Sequence, residues 1–409
     1  MATEWKKVKL GDIATFSNGI NFGKESYKAG VKLIGVSNFG NRFFPDYDEL
    51  EEVDENVLRP NDYLKNGDIV FVRSNGNKEL VGRCMLIQNP PSTVTYSGFC
   101  IRARLNKTDE NCPRFFAYYF KSKDFRKAMS NTAVGANIQN LNQGLLSNHI
   151  FYLPPLDTQK KIAGILSAYD DLIENNRKQI KLLEEAAQKL YKEWFVKLNF
   201  PGHENVKIVD GVPEGWIETD INSICTKINA GGTPNRKKTE YWNNKDVKWF
   251  KTKELQDCWL YDSEEYISQK GLENSSAKIF PENTILMAIY ASPTLGRLGI
   301  LTNEACCNQA ALCMIANEEI ISYQWLYLKL LELREYFNSV ARGAGQQNIS
   351  ADVVKNKNIV LPPKSLLDNF TKIIEPYFDK IKSLQNQIQL LQSARDKLLP
   401  TLMKGDIDV

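Results

Sequence analysis

The chain repeats itself. Gly135-Ala136-Asn137-Ile138-Gln139-Asn140 recurs 208 positions later as Gly343-Ala344-Gly345-Gln346-Gln347-Asn348, identical at four of six places. Leu153-Pro154-Pro155 recurs at the same offset as Leu361-Pro362-Pro363, and Tyr119 as Tyr327. Further upstream the offset drifts, as loop insertions would make it. Val81-Gly82-Arg83 answers Leu295-Gly296-Arg297, Asp68-Ile69-Val70-Phe71 answers Thr284-Ile285-Leu286-Met287, and Trp5 answers Trp216. Three matches in order at one offset argue against chance pairing of short apolar strings. The 409 residues therefore resolve into two copies of a unit of about 200 residues, rather than three unrelated domains of about 150.

Each copy follows one plan. A globular part of about 150 residues comes first, with short β-rich runs at 31–36, 69–72, 247–250 and 285–290 broken by Gly, Asn and Pro. A helix is expected next, at 114–129 and at 323–340. The Gly-Ala-x-x-Gln-Asn loop follows, then a short strand, Leu-Pro-Pro and a long helix. The glycines Gly135 and Gly343 read as tight-turn residues. A DNA-backbone role for Gln139 and Gln347 is the weaker reading of the same loops.

The long helices carry heptad spacing. In the first, Tyr169, Ile173, Asn176, Ile180, Leu183, Ala187, Leu190 and Trp194 fall four and three apart, and only Asn176 is polar. In the second the series is Phe370, Ile374, Tyr377, Ile381, Leu384, Ile388, Leu391, Arg395, Leu398 and Leu402, with Arg395 the one charged exception. Such spacing predicts a coiled coil, with Asn176 fixing register. Two amphipathic helices lying on the globular parts are the plainer alternative. Pro376 predicts a bend or a later helix start. A helix over 158–196 spans roughly 57 Å. A pseudo-twofold relation between the copies makes the two helices antiparallel. The expected fold class is α+β: two mixed α/β heads separated by two long antiparallel helices that form a coiled-coil rod.

Composition removes several chemistries. The only histidines, His149 and His203, stand in no metal or triad pattern. None of the eight cysteines forms C-x-x-C, and the adjacent Cys306-Cys307 pair reads as buried thiols. No Walker, dinucleotide or kinase motif occurs. Asn89-Pro90-Pro91-Ser92 lacks the aromatic of the amino-methyltransferase loop and reads as a proline turn. No apolar run is long enough to cross a membrane and the N-terminus has no signal-like core, so a cytoplasmic location is expected. A net charge of +3 is small for a charge-dominated DNA binder. Any DNA contact is therefore concentrated locally or shared with a partner.

The residues carry a resemblance. Leu153-Pro154-Pro155-Leu156-Asp157-Thr158-Gln159-Lys160-Lys161-Ile162, with Ile165-Leu166-Ser167, Asp170, Ile173-Glu174-Asn175-Asn176 and Trp194-Phe195-Val196, is similar to the helical spacer of type I restriction-modification specificity subunits. Gly231-Gly232-Thr233-Pro234, Tyr241-Trp242 and Trp249-Phe250-Lys251-Thr252 resemble the opening of that family's target recognition domains. Ile285-Leu286-Met287-Ala288, Gly296-Arg297 and Asn308-Gln309-Ala310 continue it. The resemblance implies recognition domains at 1–156 and 201–363, and spacer helices at 157–200 and 364–409.

It also implies a non-catalytic subunit that reads a bipartite, asymmetric target in double-stranded DNA, one half-site per domain. Two modification subunits would dock on the helices and methylate adenine, and restriction subunits would join in a cleaving complex. No cofactor is expected in this chain; S-adenosylmethionine, and ATP with Mg, belong to the partners. Half-sites on one face of DNA recur every ~10 base pairs, about 34 Å, which suits a rigid helical ruler. The second spacer departs from the pattern: Lys364-Ser365-Leu366-Leu367-Asp368-Asn369-Phe370 lacks the Gln and Ile of the first. The remaining readings are a self-sufficient nuclease or methyltransferase with cryptic motifs, and a protein-only scaffold.

Base edges and phosphates call for Arg, Lys, Asn, Ser and Thr at strand ends. The candidates are Asn38, Arg73, Ser74, Asn75 and Lys78 in the first head. In the second they are Arg236, Lys237, Lys238, Lys251, Thr252, Lys253 and Tyr290.

Overall fold

Ile69-Val70-Phe71-Val72 has no polar residue, the pattern of a strand covered on both faces. In the computed structural model all four side chains are buried. Ile69 and Phe71 enter one apolar cluster with Phe116 and Phe120, while Val70 and Val72 enter another with Ile34 and Tyr96. The period of two thus divides one strand between two cores. The structure describes residues 5–40, 42–75, 80–131, 140–290, 294–343 and 348–407.

The chain forms two units, Met1–Asn175 with Ile388–Val409, and Asn176–Gln387. In the first, four antiparallel strands lie in the order Ala14–Asn18, Cys100–Leu105, Ile69–Val72, Cys84–Leu86. A second sheet places Val31–Ile34 between Glu51–Val53 and, in parallel, Val94–Tyr96. Lys6–Lys9 pairs with Ile150–Leu153.

The second unit repeats the plan. Cys225–Ala230, Ala311–Ala316, Ile285–Ala288 and Leu298–Leu301 lie side by side, and Cys258–Leu260 adds a fifth, parallel strand. Val247–Phe250 lies between Glu265–Ile267 and, in parallel, Cys306–Cys307. Ile217–Asp220 pairs with Asn358–Leu361. Cys306 and Cys307 are indeed buried, and Cys307 Sγ lies 3.0 Å from Cys313 Sγ.

The single helix expected at 114–129 is two, Pro113–Lys121 and Lys123–Asn131. Ser122 breaks it: its backbone is extended, and its Oγ accepts the Phe125 N–H at 3.2 Å, an N-cap. The helix expected at 323–340 is likewise divided, into Tyr323–Glu332 and Arg334–Gly343.

The long helices run Leu156–Phe195 and Lys364–Lys404. Both units take a share of each. In the second unit they are antiparallel: Asn176 Nδ2 donates to Gln387 Oε1 at 3.2 Å, and Trp194 packs on Phe370. Asn176 is buried, as a register-setting residue requires.

Two expectations change. Pro376 does not mark a later start of the second helix, which begins at Lys364 and continues through it. The proline lies on the exposed side, and buried Ile374 and Phe378 anchor the helix on either side of it. The buried seam also runs through Asp170, Tyr191 and Phe378 instead of Tyr169, Leu190 and Tyr377. The helices pack on the head helices as well as on each other, so the buried face is wider than a strict coiled-coil seam.

Gln159 turns inward. Its Oε1 accepts the Cys112 N–H at 2.9 Å and its Nε2 donates to the Pro154 carbonyl at 2.9 Å. Leu367, also buried, occupies the matching place in the second spacer. The missing Gln there is a change of internal packing.

Candidate nucleic-acid interface

The two heads build one backbone edge twice. In the first, Gly19 N–H donates to the Cys100 carbonyl, Ile20 to Tyr96, Ser97 to Ile34, Arg73 to Phe99, and Leu141 to Arg73, at 2.8–3.3 Å. In the second, Gly231 donates to Ala311, Gly232 to Cys307, Asn308 to Phe250, Ile289 to Ala310, and Ile349 to Ile289, at 2.9–3.0 Å. Isolated bridges join Ser74 to Asn140 and Tyr290 to Asn348. The ends of the strands Ile69–Val72 and Ile285–Ala288 are thereby held against the asparagine that closes each Gly-Ala-x-x-Gln-Asn loop. Gln139 and Gln347 of those loops lie outside the described residues.

Close backbone approach fixes the glycines at this edge. A Cβ on Gly19 would meet the Ser97 carbonyl oxygen at 2.3 Å, and one on Gly231 the Cys307 carbonyl oxygen at 2.3 Å. The displayed side chains differ. At matched places the first head carries Asn21, Arg73, Ser74, Gly98 and Phe99, where the second carries Thr233, Ile289, Tyr290, Gln309 and Ala310. In the first head these residues, with Tyr27, Phe22 and Asn140, line an open cleft of about 450 Å³. Arg73 Nη1 donates to the Gly98 carbonyl at 3.3 Å across it. Phe99 and Tyr27 are exposed at 58% and 48%, unusual for large apolar rings unless something covers them.

The residues expected to contact DNA divide into groups. Arg73 and Ser74 line the cleft, and Asn75 follows them in the chain. Lys78 lies outside the described residues. Asn38 serves a turn: its Oδ1 accepts the Gly35 N–H at 2.8 Å, as Glu254 Oε1 accepts the Lys251 N–H at 2.8 Å in the other head. Tyr290, half exposed, belongs to the second head's shared edge.

Arg236, Lys251 and Lys253 converge on Glu264 and Glu265. Lys251 Nζ lies 2.5 Å from Glu265 and 3.1 Å from Glu264, and both Arg236 and Lys253 are ion-paired there. Arg236 also lies over Trp242, 3.7 Å from the ring centroid. Burial lowers the Lys251 ammonium pKa, but Glu265 and Glu264 more than offset it and hold it above its ordinary value. Two carboxylates here compensate three cations. Lys238 Nζ donates to Tyr241 Oη at 2.9 Å, the Lys237 N–H to Asn235 Oδ1 at 3.0 Å, and Thr252 opens the turn Thr252–Glu254.

Sequence reasoning missed Asn21, Tyr27, Phe99 and Asn140 in the first head, and in the second Thr233 and Asn348, which match Asn21 and Asn140, together with Asn308 and Gln309, which match Ser97 and Gly98. The signal was the repeat itself. Its offset passes through 212 at Gly19 and Gly231 and 216 at Arg73 and Ile289 before settling at 208, so a single shift does not align these residues.

Among the described residues no cluster of three or more His, Cys, Asp or Glu could hold a metal, and no helix is long and apolar enough to cross a membrane. His149 Nε2 is hydrogen-bonded to Tyr119 Oη at 2.6 Å, and His203 Nδ1 to the Phe200 carbonyl at 2.9 Å.

Two heads that share a backbone edge and differ in what it displays define a duplicated recognition protein. Residues 2–185 and 213–393 match the family model described as the type I restriction modification DNA specificity domain, and the chain belongs to that family. It is 26% identical to the type I restriction enzyme MjaIX specificity subunit of Methanocaldococcus jannaschii, over 80% of this chain and 76% of that one. It is 23% identical to the HindI specificity subunit of Haemophilus influenzae, covering 99% of this chain and 100% of that one. The fold is similar to the crystal structure of the type I restriction-modification S subunit from M. genitalium (TM-score 0.58, 15% identity, 98% and 96% of the two chains).

Proposed function

We propose that this specificity subunit reads a split, asymmetric DNA target with one half-site per head, using recognition domains 1–156 and 201–363. The observation that carries this reading is the shared edge: one set of backbone hydrogen bonds, made twice, presenting different side chains. Rings, amides and a guanidinium at strand ends suit base edges and thymine methyls. The cations paired to Glu264 and Glu265 would have to exchange those partners to meet phosphate, so the second head's phosphate contacts fall first to Lys237, which no carboxylate holds among the described residues, and to backbone N–H groups.

The subunit performs no chemistry of its own and holds no cofactor. Two modification subunits on the helices 157–200 and 364–409 bring S-adenosylmethionine, and restriction subunits bring ATP and Mg. The complex works in the cytoplasm, where eight unpaired cysteines stay reduced.

The test is methylome sequencing of cells carrying this subunit and its modification partner. A bipartite adenine-methylated motif is expected, and replacing residues 1–152 by another family member's head should change one half only. A motif that survives loss of this subunit, or changes in both halves on the exchange, would overturn the reading.

A further inference from the structure

The repeat also shows where one unit has lost a side chain that the other keeps. In the first unit Asp170 is buried and accepts Tyr118 Oη at 2.6 Å. It is also ion-paired with Arg395, whose Nη2 lies 2.8 Å from Asp396. At an offset of 208 the second unit has Leu326, Phe378 and Ala187 in place of Tyr118, Asp170 and Arg395. Ala187 thus brings a methyl group where the first unit brings a guanidinium. A cavity of about 260 Å³ is lined there by Ala187, Phe378 and Tyr327.

The cavity wall carries one carboxylate without a counter-charge. Glu184, one turn before Ala187, makes no hydrogen bond or ion pair among the described residues. Asp257 is already engaged: Arg334 Nη1 donates to it at 3.0 Å and the Leu298 N–H at 2.9 Å. Trp259, Phe378 and Tyr327 supply aromatic surface, and of the polar groups beside them Gln385 Oε1 already accepts the Trp259 backbone N–H at 2.9 Å and Arg334 is held by Asp257. A lone carboxylate above flat aromatic surface suits a planar, weakly hydrated cation on an aliphatic stem.

We propose that this cavity binds an alkylguanidinium cation, its head on Glu184 and its methylenes against Ala187 and Phe378, in the place that Arg395 fills in the first unit. The cation is either a free small molecule or an arginine side chain of a partner chain. The proposal stands apart from the DNA reading and does not depend on it.

Charge on Glu184 gives the binding a pH signature. Burial first, then Asp257 and Glu185, push its carboxyl up to about 7. Around it stand Asp257, Cys258, Tyr327 and Arg334 from the head, Glu185 on its own helix, and Lys382, which lies over the Trp259 ring from the C-terminal helix. Burial pushes Cys258 up to about 11 and Tyr327 well above its ordinary range, so neither gains charge near neutrality. A cation that prefers ionised Glu184 should bind more tightly as pH rises from about 6 to about 8.

The experiment titrates the full chain with butylguanidine, and separately with the capped peptide acetyl-Gly-Arg-Gly-amide, by calorimetry and by fluorescence with Trp259→Phe as control. Saturable binding of butylguanidine is expected, tighter at the higher pH and weakened roughly tenfold or more in Glu184→Gln, as for a charge-assisted hydrogen bond. Peptide binding with the same dependence assigns the site to a partner's arginine, and binding of butylguanidine alone assigns it to a free ligand. Ala187→Arg, which supplies the guanidinium from within, should abolish the response and raise the Tm. Absence of saturable butylguanidine binding at both pH values, or equal binding by wild type and Glu184→Gln, overturns the proposal whatever Ala187→Arg does.

Discussion

Arg395→Ala strands a carboxylate. Among the described residues Asp170 would keep the Tyr118 hydroxyl as its hydrogen-bond donor, with the Lys121 ammonium acting on it electrostatically, and breaking a buried pair from one side costs about 3–5 kcal/mol. The loss should appear in urea unfolding of the first unit. Replacing all three residues with those the second unit uses, Tyr118→Leu, Asp170→Phe and Arg395→Ala, should recover most of it, because the buried carboxylate goes with its partner and the Asp396 carboxylate left behind is exposed. A triple variant as unstable as Arg395→Ala would show that the pair contributes net stability. Glu184 gives the opposite case. Its folded pKa is raised from 4.5 to about 7, so its contribution is fully present below 4.5 and is lost as pH rises through 7. Unfolding free energy should therefore fall across that window by at most about 3 kcal/mol, and Glu184→Gln should flatten the fall. At this scale the sequence was half legible. Asn176 stood out as the polar residue in an apolar series, and Arg395 as the charged one. Asp170, the partner of Arg395, did not, because 4–3 spacing puts Tyr169 in the seam. Only the head helix that carries Tyr118 makes position 170 an interior one.

Pro376 removes a backbone donor from the middle of the helix Lys364–Lys404, yet the helix passes through it. A proline in a helix interior costs about 3 kcal/mol relative to alanine. The anchoring of Ile374 and Phe378 sustains the helix without cancelling that cost. Pro376→Ala should raise stability by about 1–3 kcal/mol, seen as a higher Tm with unchanged helical circular dichroism; a lower Tm would mean that the proline shapes a packing surface. Elements with a clear period were legible: both long helices, and the strands Ile69–Val72 and Val247–Phe250. Boundaries set by one cap were not. Ser122 ends one helix and caps the next within a stretch whose apolar spacing is continuous, so the sequence reads as one helix. The backbone edge that the two heads share was the least legible. It is assembled from strand ends far apart in the chain, and its glycines signal close approach without naming what they approach.

The two units are not two successive segments of chain. The first is completed by the last 22 residues, Ile388–Val409. Buried Leu399 and Leu402, with Leu398 and Met403 against them, enter the cluster built from Leu10, Phe116, Ile162 and Leu166, and Arg395 supplies the counter-charge to Asp170. The second unit, Asn176–Gln387, holds within itself both helix segments that it packs upon. The consequences of truncation are therefore unequal. Burying a Leu or Met side chain contributes about 1.5–3 kcal/mol, so losing four of them together with one side of a buried ion pair exceeds the 5–15 kcal/mol by which a domain is ordinarily stable, or comes close to it. A chain ended after Gln387 should lose amide-exchange protection through residues 5–175 and keep it through residues 176–387. A synthetic helix of residues 388–409 added in trans should restore protection to the first unit, with Arg395→Ala in that peptide weakening the rescue. Protection lost evenly over both units, or kept in both, would mean that the C-terminal residues do not belong to the first core in the way their packing specifies.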